Sequence, residues 1–130
     1  RLRLQRMDTQ PHILVVDDEI AIASMMNKML EKLGYTADIC NSSIEALKVF
    51  RQQPARYDLV ISDLTMPGMT GLDLAEQLHN IKKELPIILI SGYGKNLSNE
   101  TLQELGIKKV IGKPILVKEL ALAIREAIEN

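Results

Sequence analysis

Ile13-Leu14-Val15-Val16-Asp17-Asp18 decides how this chain folds. Four apolar residues, three of them β-branched, run without interruption and stop at two carboxylates. A strand with one wet face alternates apolar and polar residues. An unbroken apolar run is the mark of a strand covered on both faces, as in a parallel sheet. The pattern returns at Leu59-Val60-Ile61, which leads into Ser62-Asp63, and at Ile87-Ile88-Leu89-Ile90, which follows Pro86 and ends at Ser91. Residues 36–40 and the pair Val110-Ile111 read as two shorter strands.

Helical patterns fill the intervals. Ile22, Met26, Leu30 and Leu33 recur at helical spacing, and Gly34 stands where a C-cap belongs. Met25 and Met29 widen that face as packing residues. Ser42 and Glu45 form an S-x-x-E capping box that opens a second helix bearing Ala46, Leu47, Val49 and Phe50, ended by Pro54. Thr65-Met66-Pro67-Gly68-Met69-Thr70-Gly71 is a loop by its Pro and Gly content. Thr70 caps a third helix carrying Leu72, Leu74, Ala75 and Leu78. Ser98 caps a short fourth helix reaching Leu105 and stopped by Gly106. The last helix occupies residues 117–128, with Leu120, Ile124 and Ile128 spaced four apart. Five β-then-α alternations with short links predict an open α/β sandwich.

The bulk properties fit one domain. The chain has 130 residues, 46% hydrophobic and 25% charged, with a formal net charge of −1. No apolar run approaches the roughly 20 residues that span a bilayer. Residues 1–10 carry charges but no apolar stretch of a secretory signal. The charge balance gives no reason to expect nucleic-acid binding. A single cysteine, Cys40, cannot close an internal disulfide, which fits a reducing cytoplasm, and its place at a strand end predicts a buried structural thiol. His12, just before the first strand, and His79, on the polar side of the third helix, have no surroundings of a phosphodonor. Lys108-Lys109 reads as a solvated edge. Residues 1–11 are expected to be a leader or linker and 12–130 the domain. The start at Arg1 leaves two readings: Met7 as a native start behind a leader, or a piece of a longer protein. The second is favoured.

The chemistry collects where the strands end. In an open parallel sheet, ligands bind beyond the carboxyl ends of the strands, near the reversal of strand order. The first strand ends in Asp17-Asp18 with Glu19 beside them, the third in Asp63, the fourth in Ser91, the fifth near Lys113, and the second in uncharged Cys40-Asn41. Three carboxylates, a hydroxyl and an ammonium thus converge on one rim. Two unit charges about 4 Å apart repel by about 4 kcal/mol at an effective dielectric near 20. Either a carboxyl stays protonated or a cation sits among them. Hard oxygen donors suit Mg²⁺. With the charge offset, Asp63 can attack phosphorus to give an acyl phosphate, and Lys113 and Ser91 can neutralise and bond the phosphoryl oxygens. Taken singly, Asp-Asp at a strand end, a Lys-Pro or a turn serine says little. Their common placement is the specific signal.

Four segments together resemble the receiver domain of two-component response regulators: Ile13-Leu14-Val15-Val16-Asp17-Asp18-Glu19, residues 58–71, Ile88-Leu89-Ile90-Ser91 and Gly112-Lys113-Pro114. The resemblance covers nearly the whole chain. It implies a flavodoxin-like (βα)5 sheet of order 2-1-3-4-5 with helices on both faces. It implies phosphorylation at Asp63, with Asp17, Asp18, Asp63 and the backbone carbonyl of Thr65 holding Mg²⁺ or Mn²⁺. Asp18 would be a direct ligand and Asp17 a mainly water-mediated one. It makes Ser91 the switch hydroxyl, Lys113 the phosphoryl-binding lysine, and the bond before Pro114 cis. The implied donor is a phosphohistidine on a histidine kinase or phosphotransfer domain. The implied output surface is the fourth helix, fifth strand and fifth helix, with no nucleic-acid or membrane contact by this domain. The segments Ser91-Gly92-Tyr93-Gly94 and Gly106-Ile107 resemble receivers at the C-terminus of hybrid sensor histidine kinases, so the parent could be an enzyme although this domain is not.

One position departs from the family pattern. The aromatic residue common three places before the lysine is Val110 here, and Tyr93 is the candidate to gate the site instead. Two other readings compete. A haloacid-dehalogenase-type phosphatase also uses an Asp nucleophile with Mg²⁺, but its Asp-x-Asp-x-Thr signature follows the first strand, and Asp63-Leu64-Thr65 lacks the second Asp. A receiver-like adaptor that is never phosphorylated would have no need of the full acidic and switch set.

Overall fold

A computed structural model of the chain describes residues 10–92 and 97–129. In chain order the elements are β1 (His12–Val16), α1 (Ile20–Lys32), β2 (Thr36–Cys40), α2 (Ser43–Gln52), a 3₁₀ turn (Pro54–Arg56), β3 (Leu59–Asp63), α3 (Gly71–Ile81), β4 (Ile87–Ser91), α4 (Asn99–Glu104), β5 (Ile107–Gly112) and α5 (Val117–Glu129). Every strand pair is parallel, and the order is β2-β1-β3-β4-β5. The order reverses between β1 and β3, which puts the crevice at the carboxyl ends of those two strands.

The apolar runs explain the layering. Successive strand residues point to opposite faces. Leu14, Val16, Val60 and Leu89 therefore meet Phe50, Leu74 and Leu78 of α2 and α3. Ile13, Val15, Ile61 and Ile90 meet Met26 and Leu30 of α1 and Leu120 and Ile124 of α5. β3 and β4 are buried along their whole length because both faces are covered. Cys40 is buried at the end of β2, where burial first, then Glu45 and Asp38, pushes its thiol up to about 11.

Chain ends of the helices follow local chemistry, with three departures from expectation. Gly34, just past α1, has φ +92°, a conformation that favours glycine. Ser42 Oγ accepts the Glu45 amide at 3.0 Å. Glu45, however, reaches past Ser42 to accept the Asn41 amide at 3.1 Å, so the box is opened by one residue. Thr70 and Asp73 form a complete capping box on α3. β5 is longer than Val110-Ile111 and begins at Ile107. It is an edge strand, and Lys108 and Lys109 lie exposed on it. A register shift opposite Ile87 and Ile88 adds the extra residue that breaks the apolar pattern. His79 is only half-exposed: its Nδ1 is buried, and the ring packs against the Gly106 turn.

Gly71 opens α3 and lies against the strand that carries Asp63. A Cβ there would collide with the Asp63 carbonyl oxygen and sit 2.9 Å from Leu64 Cα. The Gly71 amide donates to Leu64 O at 2.8 Å and closes the loop between them. Because the obstruction is backbone, Gly71→Ala is expected to cost about 1–3 kcal/mol, the range for overpacking. Thr70→Ala, which loses only the cap, is expected to cost about 1 kcal/mol. Urea denaturation midpoints measure both, and an unchanged midpoint for Gly71→Ala would contradict the close approach.

Candidate functional site

Asp17, Asp18 and Asp63 each offer a carboxylate oxygen, and all three atoms lie within 4.8 Å of one another. The adjacency of β1 and β3 produces this, since Val16 pairs with Ser62 and the next residues on both strands are acidic. Asp17 is fully buried, and its Oδ1 accepts the Glu19 amide at 2.9 Å. Its Oδ2 is also buried and has no hydrogen-bond partner among the described residues. Asp63 is 5% exposed, and Lys113 Nζ stands 3.1 Å from its Oδ1. Asp18 is exposed.

Above the buried Asp17, an open cleft of about 280 Å³ is lined by Asp18, Glu19, Asp63, Thr65, Ser91, Gly92 and Lys113. Ser91 is buried at the end of β4, and its carbonyl accepts the Lys113 amide at 2.9 Å. The Lys113–Pro114 peptide bond is cis. Hence every side chain singled out at the strand ends reaches one place. Val110 lies elsewhere, half-buried against the core under α2 and α3. Tyr93 lies outside the described residues. Sequence reading missed the wall made by Gly92 and the clearance given by Gly71. A glycine directly after a cap residue, where a helix starts, was the available signal for the latter.

Electrostatics at the site are unbalanced. Burial pushes the Asp17 carboxyl up, and the charges of Asp63 and Asp18 add to this beyond what the Glu19 amide and Lys113 relieve. Burial likewise raises Asp63, and Asp18 and Glu19 work against the hydrogen bond and charge of Lys113. Burial pulls Lys113 down, but its bond to Asp63 and the charges of Asp63, Asp17 and Glu19 outweigh that and raise it. Among the described residues, the Lys113 ammonium therefore faces three clustered carboxylates, and one carboxylate oxygen is buried without a partner. That donor set, all hard oxygen with an orphaned anionic atom, fits a small divalent cation.

Comparison with known proteins agrees with this geometry. The family model for the response regulator receiver domain matches residues 13–125. The two-component response regulator ARR14 of Arabidopsis thaliana is 37% identical over 108 residues, 83% of this chain and 28% of that protein. The sensor kinase CckA of Brucella abortus is 30% identical over 118 residues, 91% of this chain and 12% of that protein. The chain thus spans well under half the length of either relative. Among solved structures, a response regulator receiver domain protein from Clostridium thermocellum has a TM-score of 0.85 at 29% identity, covering 92% of this chain and 94% of that one. The response regulator TrrA from Thermotoga maritima, solved in complex with Mg²⁺-BeF, has a TM-score of 0.81 at 33% identity, covering 91% and 99%. The family match from residue 13 to 125, on a 2-1-3-4-5 parallel sheet with a partly buried acidic cluster at its reversal, makes this chain a member of the response regulator receiver domain family.

Proposed function

We propose that Asp63 of this chain accepts a phosphoryl group from a phosphohistidine, and that Asp17, Asp18, Asp63 and the Thr65 carbonyl hold Mg²⁺ beside it. Receiver domains as a family are phosphoacceptor switches of two-component signalling rather than enzymes acting on a separate substrate. The observation that carries the residue assignment is the Asp63–Lys113 contact in the cluster where one Asp17 oxygen has no partner among the described residues. A carboxylate must be ionised to attack phosphorus. Asp63 is buried yet kept within reach of an ammonium that favours its charged form. When bound, the divalent cation supplies the remaining positive charge and polarises a phosphoryl oxygen.

The chain's own groups then have distinct tasks. An Asp63 oxygen attacks phosphorus, the bond between phosphorus and the donor imidazole nitrogen breaks, and an acyl phosphate remains. Lys113 moves its attraction from the carboxylate to an equatorial phosphoryl oxygen, where negative charge builds. Ser91, at the end of the neighbouring strand, donates to a second oxygen and so links the phosphoryl group to a shift between two conformations of the domain. Lys113 directly continues β5, so a change in its position reaches the surface of α4, β5 and α5 first. We assign that surface to the downstream protein partner, without nucleic-acid contact. Among the described residues no helix is long and apolar enough to cross a membrane, and a buried, unpaired cysteine is consistent with our assignment of the domain to the cytoplasm. The relationship to a sensor kinase supports a hybrid kinase as the parent chain.

Two outcomes test the assignment. Incubation with acetyl phosphate followed by intact-mass measurement should give one phosphoryl adduct on the wild type, dependent on Mg²⁺, and none on Asp63→Asn. An adduct on the variant, or one formed equally in chelator, contradicts it. Lys113→Ala should slow adduct formation by about 100-fold, the usual cost of losing a charge-stabilising donor. A wild-type rate in quenched-flow assays would remove Lys113 from the chemistry.

A further inference from the structure

The link between β2 and α2, Asn41-Ser42, and the first helical residue, Ser43, send no side chain into the cleft, although they leave the same rim of the sheet. Their polar groups instead reach the two loops that build the cleft. Asn41 Nδ2 donates to the backbone carbonyl of Asp17 at 3.0 Å. The Asp17 amide in turn donates to Cys40 O at 3.1 Å. Ser43, 3% exposed, donates from Oγ to the backbone carbonyl of Met69 at 2.7 Å. That carbonyl belongs to the loop of residues 64–70, which starts beside Asp63 and contains Thr65. The backbone bonds that fasten this loop lie at its ends: the Leu64 amide donates to Ile90 O, and the Gly71 amide to Leu64 O, each at 2.8 Å.

Both contacts share one anchor. The Asn41 amide donates to Glu45 Oε1 in the first turn of α2, and this bond fastens Asn41 to that helix. Ser43 is the first residue of that helix. A single rigid element therefore grips the Asp17–Asp18 turn on one side and the Asp63 loop on the other. The grip matters because the three carboxylates repel one another at separations within 4.8 Å. Repulsion drives the two loops apart, and both hydrogen bonds end on main-chain carbonyls of those loops. Cation affinity depends on ligand oxygens being held at their separation before the ion arrives.

We propose that Asn41 and Ser43 are positioning residues that set the spacing between the Asp17–Asp18 turn and the Asp63 loop, and thereby the affinity of the cluster for a divalent cation. The proposal rests on reading that cluster as the metal site. Mn²⁺ is the probe, titrated into the full chain with the free ion followed by its electron paramagnetic resonance signal. Asn41→Ala and Ser43→Ala should each weaken Mn²⁺ binding by about tenfold, as for other residues that orient metal ligands. Ser43→Thr, which keeps the hydroxyl, should bind close to wild type. Ser42→Ala supplies the control. It removes the α2 cap without touching either loop, so its melting temperature should fall by a few degrees while its Mn²⁺ affinity stays within twofold of wild type. Wild-type affinity in both Asn41→Ala and Ser43→Ala would overturn the proposal. So would an equal loss in Ser42→Ala, which would make the effect one of general stability. Should Ser43→Ala fail to fold, Asn41→Ala, at an exposed side chain, carries the comparison. A wild type that binds no Mn²⁺ would overturn the metal reading itself, a separate failure.

Discussion

Mutual repulsion of carboxylates that the backbone will not let separate is the constraint around which this domain is organised. The strand order makes it unavoidable. β1 and β3 are neighbours at the reversal; the apolar run of β1 gives way to Asp17, and β3 ends at Asp63 just past Ser62. Asp17 is then sealed under the rim with one oxygen unpartnered among the described residues, and Asp63 has the Lys113 ammonium beside it. A globule selected for stability alone would replace such a cluster with apolar side chains. Retaining it makes the fold responsive, because a cation or a phosphoryl group changes the local balance of charge by amounts large beside the net stability of a small domain.

The opposite end of the sheet provides the contrast. There Asp38, on edge strand β2, accepts from Tyr57 Oη at 2.7 Å and Arg56 Nε at 2.9 Å, with His12 Nε2 at 3.1 Å. Burial pushes the Asp38 carboxyl up, yet the hydrogen bonds from Arg56 and Tyr57, with His12 close by, outweigh it and hold the group well below the usual carboxylate range. Tyr57 stacks between Phe50 and His12, and Lys82 Nζ donates to the carbonyls of Pro54 and Tyr57. Charge at that end is matched by partners within the chain and serves the fold. Charge at the carboxyl end is not fully matched among the described residues, and the proposed function rests on that deficit. Both ends carry aspartate, and what sets them apart is whether its oxygens find cationic or hydroxyl partners: both Asp38 oxygens do, and one Asp17 oxygen does not among the described residues.

What the sequence discloses follows from which physical signal each feature leaves. β1, β3 and β4 are readable because coverage on both faces demands unbroken apolar runs. The acidic rim is readable because a topological rule fixes which strand ends meet. β5 is only half legible: as an edge strand it exposes Lys108 and Lys109, and its register shift interrupts the pattern. His79 looks polar by position on its helix, yet the Gly106 turn covers one ring nitrogen, a tertiary contact with no local trace. Gly71, Asn41 and Ser43 are the least legible. They act on backbone atoms of other segments, by clearance or by hydrogen bonds to carbonyls, and nothing in residue type or spacing announces a main-chain partner 24 or 26 residues away.

The repulsion itself is measurable through the pH dependence of stability. An acid whose value is raised by folding, as for Asp17 above its ordinary 3.8, binds its proton more tightly in the folded state. Its contribution is present at low pH and lost as pH rises through the raised value. Asp17→Asn keeps an acceptor for the Glu19 amide and removes the charge. Melting curves from pH 4 to 8, with and without Mg²⁺, compare it with the wild type. Without metal the wild type should fall progressively below the Asp17→Asn variant as pH rises above about 4, and Mg²⁺ should close or reverse that gap. Parallel curves for the two proteins, indifferent to Mg²⁺, would contradict the account.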